Sequence, residues 1–67
     1  MRQEKKQFKK ALNAVIEFKE GKYEETLKKY NKAIGEKNYT VANRMWDLKN
    51  YLGREILKDL RLLSKLN

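Results

Sequence analysis

Four cations near the end of the chain, Arg54, Lys58, Arg61 and Lys65, stand at i, i+4, i+7 and i+11, the spacing that lays them in one row along a helix. The same segment carries Ile56, Leu57, Leu60, Leu62, Leu63 and Leu66, so one side reads as basic and the other as apolar. A basic amphipathic helix of this kind can lie on an anionic membrane, dock in the groove of a partner protein, or run its charge along a phosphate backbone. Glu55 and Asp59 flank the row and can pair locally with Lys58, which weakens the membrane reading; a solvated outer face is the commonest origin of such a row. A second cluster, Lys5, Lys6, Lys9 and Lys10 with Arg2, offers phosphate or an acidic partner the same chemistry, and its plainer account is a charged face that keeps a small protein dispersed. The formal charge of +8 divides into +5 over residues 1–34 and +3 over 35–67, spread along the chain rather than gathered in one nucleic-acid-binding arm.

Acid–base and nucleophilic chemistry lack their residues. There is no His and no Cys, which removes the usual general base, the thiol nucleophile, disulfides and nearly all zinc or haem ligation. Ser64 has no histidine to activate it, and none of the nine carboxylates sits in an apolar stretch suited to a general acid. Glu17, Glu20 and Glu24 could be drawn together around a metal, but Lys19 and Lys22 are interleaved with them, and surface ion pairs account for the pattern better. No glycine-rich phosphate loop is present. The expectation is a protein that is not an enzyme, with no catalytic residues, no metal site, no cofactor and no small-molecule substrate.

The elements that would hold these residues are helices. With no Pro, three Gly and abundant Lys, Leu and Glu, nothing in the 67 residues reads as a strand or a linker, and the class is all-α in a single domain, 1–67. A first helix over about 3–20 carries Phe8, Ala11, Leu12, Val15 and Phe18 as its core stripe, with Ile16 on the flank. Gly21 follows as a left-handed stop, and Tyr23, Leu27, Tyr30 and Ile34 line a second helix over about 22–35, with Thr26 and Ala33 small beside them. Glu24 and Glu25 suit its first turn, although Lys22 is a poor cap. After Gly35, the loop GEKNYT offers Asn38 or Thr40 as the next cap, and Tyr39 is expected to pack under the helix ends. A longer third helix, about 40–65, carries Val41, Met45, Leu48, Leu52, Ile56, Leu60 and Leu63. Gly53 lies inside it without turn-forming neighbours, so one helix is expected there, straight or bent, with Gly53 marking a close helix approach. The sum is a three-helix bundle: an antiparallel hairpin and a longer third helix.

Residues 17–34 resemble the inter-helix turn and second helix of a tetratricopeptide repeat, through Gly21, Tyr23, Leu27, Tyr30, Ala33 and Ile34. Thr26 stands where such a repeat prefers alanine, no proline follows, and there is one copy where solenoids need about three. Ala14 to Ile34 also resemble the first hairpin of microtubule-interacting-and-trafficking (MIT) domains, through Ala14, Val15, Tyr23, Glu24, Glu25, Leu27, Tyr30 and Ala33, and YLGRE at 51–55 is similar to part of their third helix. That resemblance implies a three-helix bundle that binds short peptides of trafficking proteins in grooves between helices.

The functional expectation turns on the third helix. If residues 54–66 overhang a short hairpin, their six large apolar side chains form a patch too large to leave wet, and such patches mark interfaces. The competing account is that the first helix runs alongside and covers most of them. Trp46 and Tyr51 stand at the edge of the stripe, where packing is the ordinary role and a binding hot spot the alternative. The expected interface is Ile56, Leu57, Leu60, Leu62, Leu63, Leu66 and Trp46, taking a partner protein or a second copy. A nucleic acid held by the basic residues is the alternative, and a membrane surface comes after both. Residues 1–10 are basic, but no apolar run long enough for a signal core or a membrane span follows, and the absence of Cys fits a cytoplasmic setting.

Overall fold

The computed structural model describes the backbone of residues 2–66 and the side chains of residues 4–66. Two antiparallel helices, α1 (Arg2–Gly35) and α2 (Tyr39–Leu66), form a hairpin, and no strand occurs among the described residues. The all-α class holds, but the expected three-helix bundle is corrected to two helices. Gly21 does not end a helix; it lies inside α1, exposed, without positive φ and with open space around it. Glycine costs a helix about 1 kcal/mol relative to alanine, less than the loss of a turn of hydrogen bonds at an uncapped break, and Lys22 supplies no cap. The inter-helix turn that the tetratricopeptide-like pattern places at Gly21 is therefore helix interior. Gly53 is also passed without a break, and a methyl group there would make an ordinary van der Waals contact, 3.6 Å, with the Tyr23 ring.

The reversal falls at 36–38. The Asn38 N–H donates to the Ala33 carbonyl at 2.8 Å and the Lys37 N–H to the Ile34 carbonyl at 3.0 Å, while Lys37 takes φ 59°. This is the paired 6→1 and 5→2 closure of a Schellman turn, with lysine in the left-handed place that glycine usually fills. Asn38 then caps α2: its Oδ1 accepts from the Val41 N–H at 3.3 Å, and its carbonyl accepts the first helical bond from Ala42. Gly35, the expected stop, is simply the last residue of α1, and Tyr39 is exposed rather than packed under the helix ends.

Most of the covered residues form two series, Leu12, Ile16, Lys19, Tyr23, Thr26, Tyr30 and Ala33 in α1 and Ala42, Met45, Lys49, Leu52, Ile56, Asp59, Leu63 and Leu66 in α2, with Lys9, Leu27, Asn50, Gly53 and Glu55 half-buried besides. Both series alternate steps of three and four, the seven-residue repeat of a coiled-coil seam. The thirty-four residues of α1 should span about 51 Å at 1.5 Å per residue, and the molecule's long axis is 53 Å against 14 and 12 Å across. α2 is accordingly flanked along its length and does not overhang. Among the described residues the buried set is small, namely Leu12, Ile16, Thr26, Ala33 and Ala42, and no large side chain is fully buried. Thr26 satisfies its hydroxyl within its own helix by donating to the Lys22 carbonyl at 2.7 Å.

One straight α1 shifts which of its residues face α2. At about 100° per residue, the stripe 8, 11, 12, 15, 18 points about 65° away from the stripe 23, 26, 27, 30, 33, 34. A single seam keeps Tyr23, Thr26, Tyr30 and Ala33 of the second stripe, leaves Ile34 41% exposed, and takes only Leu12 from the first, with Ile16 from its flank. Phe8, Val15 and Phe18, expected in the core, are 49, 44 and 65% exposed, and Ala11 is exposed too. In α2, Val41, Leu48 and Leu60 likewise fall outside the seam because steps of four drift around the helix.

Candidate interaction surface

The expected interface residues separate into two groups. Ile56, Leu63 and Leu66 lie on the seam, half-buried against α1, so the account in which α1 covers this segment holds for them. Leu57, Leu60, Leu62 and Trp46 remain exposed. The exposed residues in turn divide between the two flanks of the hairpin, because residues one place to either side of a seam point to opposite sides.

On the first flank, Phe8, Ala11, Val15 and Phe18 of α1 are followed by Lys22 and Lys29 at the same register, and these lysines line open grooves with Leu48 and with Val41 of α2. Leu62 lies on this side too, fourteen residues after Leu48 at the seven-residue repeat. Lys22 Nζ sits 5.6 Å from the centroid of the Phe18 ring and 3.7 Å from Glu25, marking where the apolar strip becomes charged.

The second flank has a groove of about 560 Å³ where the Tyr23 ring leans over Gly53. Ile56 and Leu57 form its apolar wall, and Glu20, Lys49, Asn50 and Arg54 complete it. Leu57 and Leu60, 54 and 42% exposed, continue this side toward the open end of the hairpin. Toward the turn, Trp46 packs on Tyr30 with ring centroids 5.4 Å apart, and Lys49 Nζ stands 3.9 Å from the Trp46 ring centroid. The expected edge packing of Trp46 is thus present, and the residue stays 45% exposed.

Across the seam, Lys19 Nζ donates to Asp59 Oδ2 at 2.7 Å and lies 3.8 Å from Glu55. The hydrogen bond to Asp59 holds the Lys19 ammonium above the ordinary lysine value of 10.5; desolvation works against it, and the charges of Asp59 and Glu55 add to it. Sequence reading paired Glu55 and Asp59 with Lys58; the structure keeps Lys58–Glu55 at 3.4 Å but gives Asp59 to Lys19. The signal that could have found this pair is the seven-residue series 12, 19, 26, 33, which runs through Gly21 unbroken.

The antiparallel hairpin brings the two basic clusters to one end. Lys5, Lys6 and Lys10 are exposed and Lys9 is half-buried on the seam line; Arg54, Lys58, Arg61 and Lys65 are exposed on α2. They surround the open end instead of forming one strip. Arg2, grouped with the first cluster, has its side chain outside the described residues. Among the described residues no group of three acidic side chains could hold a metal ion, and no helix is long and apolar enough to cross a membrane. The chain matches no protein-family model, and comparison with curated proteins and with solved structures finds no match.

Proposed function

We propose that this chain is a protein-interaction module, a two-helix rod that binds a protein partner through apolar flanks and performs no catalysis of its own. The observation that carries the reading is the exposure of Phe8, Val15, Phe18, Leu57 and Leu60 on a molecule with so small a buried core. Large apolar side chains clustered on both flanks exceed what a monomer of this size ordinarily leaves in water, and such patches are usually sites of association. The groove under Tyr23, with Leu57 on its wall and Lys49 and Arg54 on its rim, supports the same reading. A photoreactive residue placed at Leu57 or at Phe18 in the expressed chain should give a discrete protein adduct. The same probe at Lys28, an exposed position away from both flanks, should give none. A folded chain that yields no adduct from either flank would overturn the reading.

A second reading rests on the gathering of Lys5, Lys6, Lys9, Lys10, Arg54, Lys58, Arg61 and Lys65 around the open end, where they could neutralise nucleic-acid phosphates. Phosphate neutralisation by six to ten cations loses about a thousandfold or more in affinity between about 50 and 200 mM salt. Binding that is indifferent to salt would exclude it.

A further inference from the structure

We infer that the first flank is covered by a second copy of this chain, giving a dimer of hairpins with four helices in cross-section; this rests on the interaction-module reading above. Phe8, Ala11, Val15 and Phe18 stand one residue before 9, 12, 16 and 19, so α1 carries a second seam beside the one that meets α2. Helices with one seam pair off; helices with a broader apolar face, three positions in seven, belong in bundles where each touches two neighbours.

The hairpin's dimensions support the same occupant. A folded monomer of 8.1 kDa exposes about 4,500 Å² by the usual scaling, whereas this chain exposes 5698 Å². The difference, about 1,200 Å², is more than the roughly 800 Å² per partner that a stable interface buries. The radius of gyration, 15.5 Å, compares with about 11 Å for a compact chain of this length. A face of 53 × 14 Å offers a footprint of the required size when a second hairpin lies along it.

Self-association also fits the arrangement of the flank. A two-fold axis across its middle lays the turn of one hairpin over the open end of the other and sets the two α1 helices antiparallel, so the strip of each copy lies against the α1 of its partner. The interface is then self-complementary, as a closed dimer requires. The strip itself bears no charge; Lys22 follows it on α1, and Glu55, Lys58 and Lys65 stand beside Leu62 at the same register of α2. Two chains of +8 repel through their margins while their apolar strips attract, so added salt should tighten this dimer. A nucleic-acid or acidic partner would be loosened by the same salt.

The test is light scattering on the intact chain across a hundredfold range of concentration and at two salt concentrations, together with the thermal midpoint at each concentration. Dimer formation predicts twice the chain mass, a midpoint that rises with protein concentration, and at least tenfold tighter association at the higher salt. Val15→Lys with Phe18→Lys should weaken association at least a hundredfold, and Leu57→Lys with Leu60→Lys, on the other flank, should leave it unchanged. A single-chain mass at every concentration with a constant midpoint overturns the inference. So does a dimer that survives the first pair of substitutions and is lost with the second. In the first case, adducts from the photoreactive probes at masses other than twice the chain would leave the interaction-module reading standing; absence of any adduct would remove both.

Discussion

Lys19 Nζ and Asp59 Oδ2 meet at 2.7 Å across the seam, forty residues apart in the chain, at positions where a seam ordinarily carries aliphatic side chains. Each is half-buried, so each depends on the other to replace lost water. Asp59→Ala should lower the thermal midpoint by leaving the ammonium unpaired, and Lys19→Ala should do the same to the carboxylate. Lys19→Leu with Asp59→Leu together should equal or exceed the native midpoint, because an apolar pair carries no desolvation cost. A double variant less stable than either single one would show that the ion pair itself is the stabilising element.

The same pair sets an alkaline limit. Lys19 is held above 10.5 in the folded chain, chiefly by its hydrogen bond to Asp59, so its contribution is complete below 10.5 and is lost as pH rises through the higher folded-state value. Glu25 behaves in the opposite sense. The Lys22 charge first, and then a hydrogen bond from Lys29, hold it below the ordinary 4.5, so its contribution is present above 4.5 and is lost as pH falls through the lower folded-state value. Glu25 is exposed, so its share is small and screened by salt. Melting native and Asp59→Asn chains side by side checks the first claim: the native midpoint should be higher at neutral pH, and the gap should narrow as pH is raised beyond 10.5.

Gly21 should be replaceable with profit to stability. It lies in a helix interior, exposed, with nothing within 4 Å of where a methyl group would go. Gly21→Ala is expected to add about 1 kcal/mol, or about 4–8 °C in the midpoint of a small domain. Destabilisation would mean that the chain needs a turn or hinge at 21.

The inter-helix turn gives two substitutions of opposite sign. A left-handed residue other than glycine is strained by about 1–2 kcal/mol, and glycine's greater freedom in the unfolded chain offsets about 0.4–1 kcal/mol of the relief. Lys37→Gly should therefore gain about 0.5–1 kcal/mol. Asn38→Ala removes the cap on the Val41 N–H and should cost about 1 kcal/mol. Denaturant melts of the two variants and the native chain read both effects, and a gain from Asn38→Ala would contradict the capping geometry.

Composition and local spacing alone determined much of this protein. Helix formers without proline allowed only an all-α chain, GEKNYT was the only loop of any length although Gly21 also read as a turn, Asn38 was one of two candidate caps, and Gly53 lacked the neighbours to break its helix. These are local matters, governed by residues within a turn of one another. Tertiary structure decided the rest. Whether Gly21 interrupts α1 depends on whether 2–20 gains more by docking along α2 than by folding back, which no local spacing expresses. Once α1 is straight, its two apolar stripes cannot both face α2, and the seam keeps the one aligned with Tyr23, Thr26, Tyr30 and Ala33. That choice draws Lys19 into the seam, where Asp59 meets it, and turns Phe8, Val15 and Phe18 outward. A periodic pattern fixes a stripe only relative to its own helix; the partner helix selects which stripe becomes core and which is left as surface.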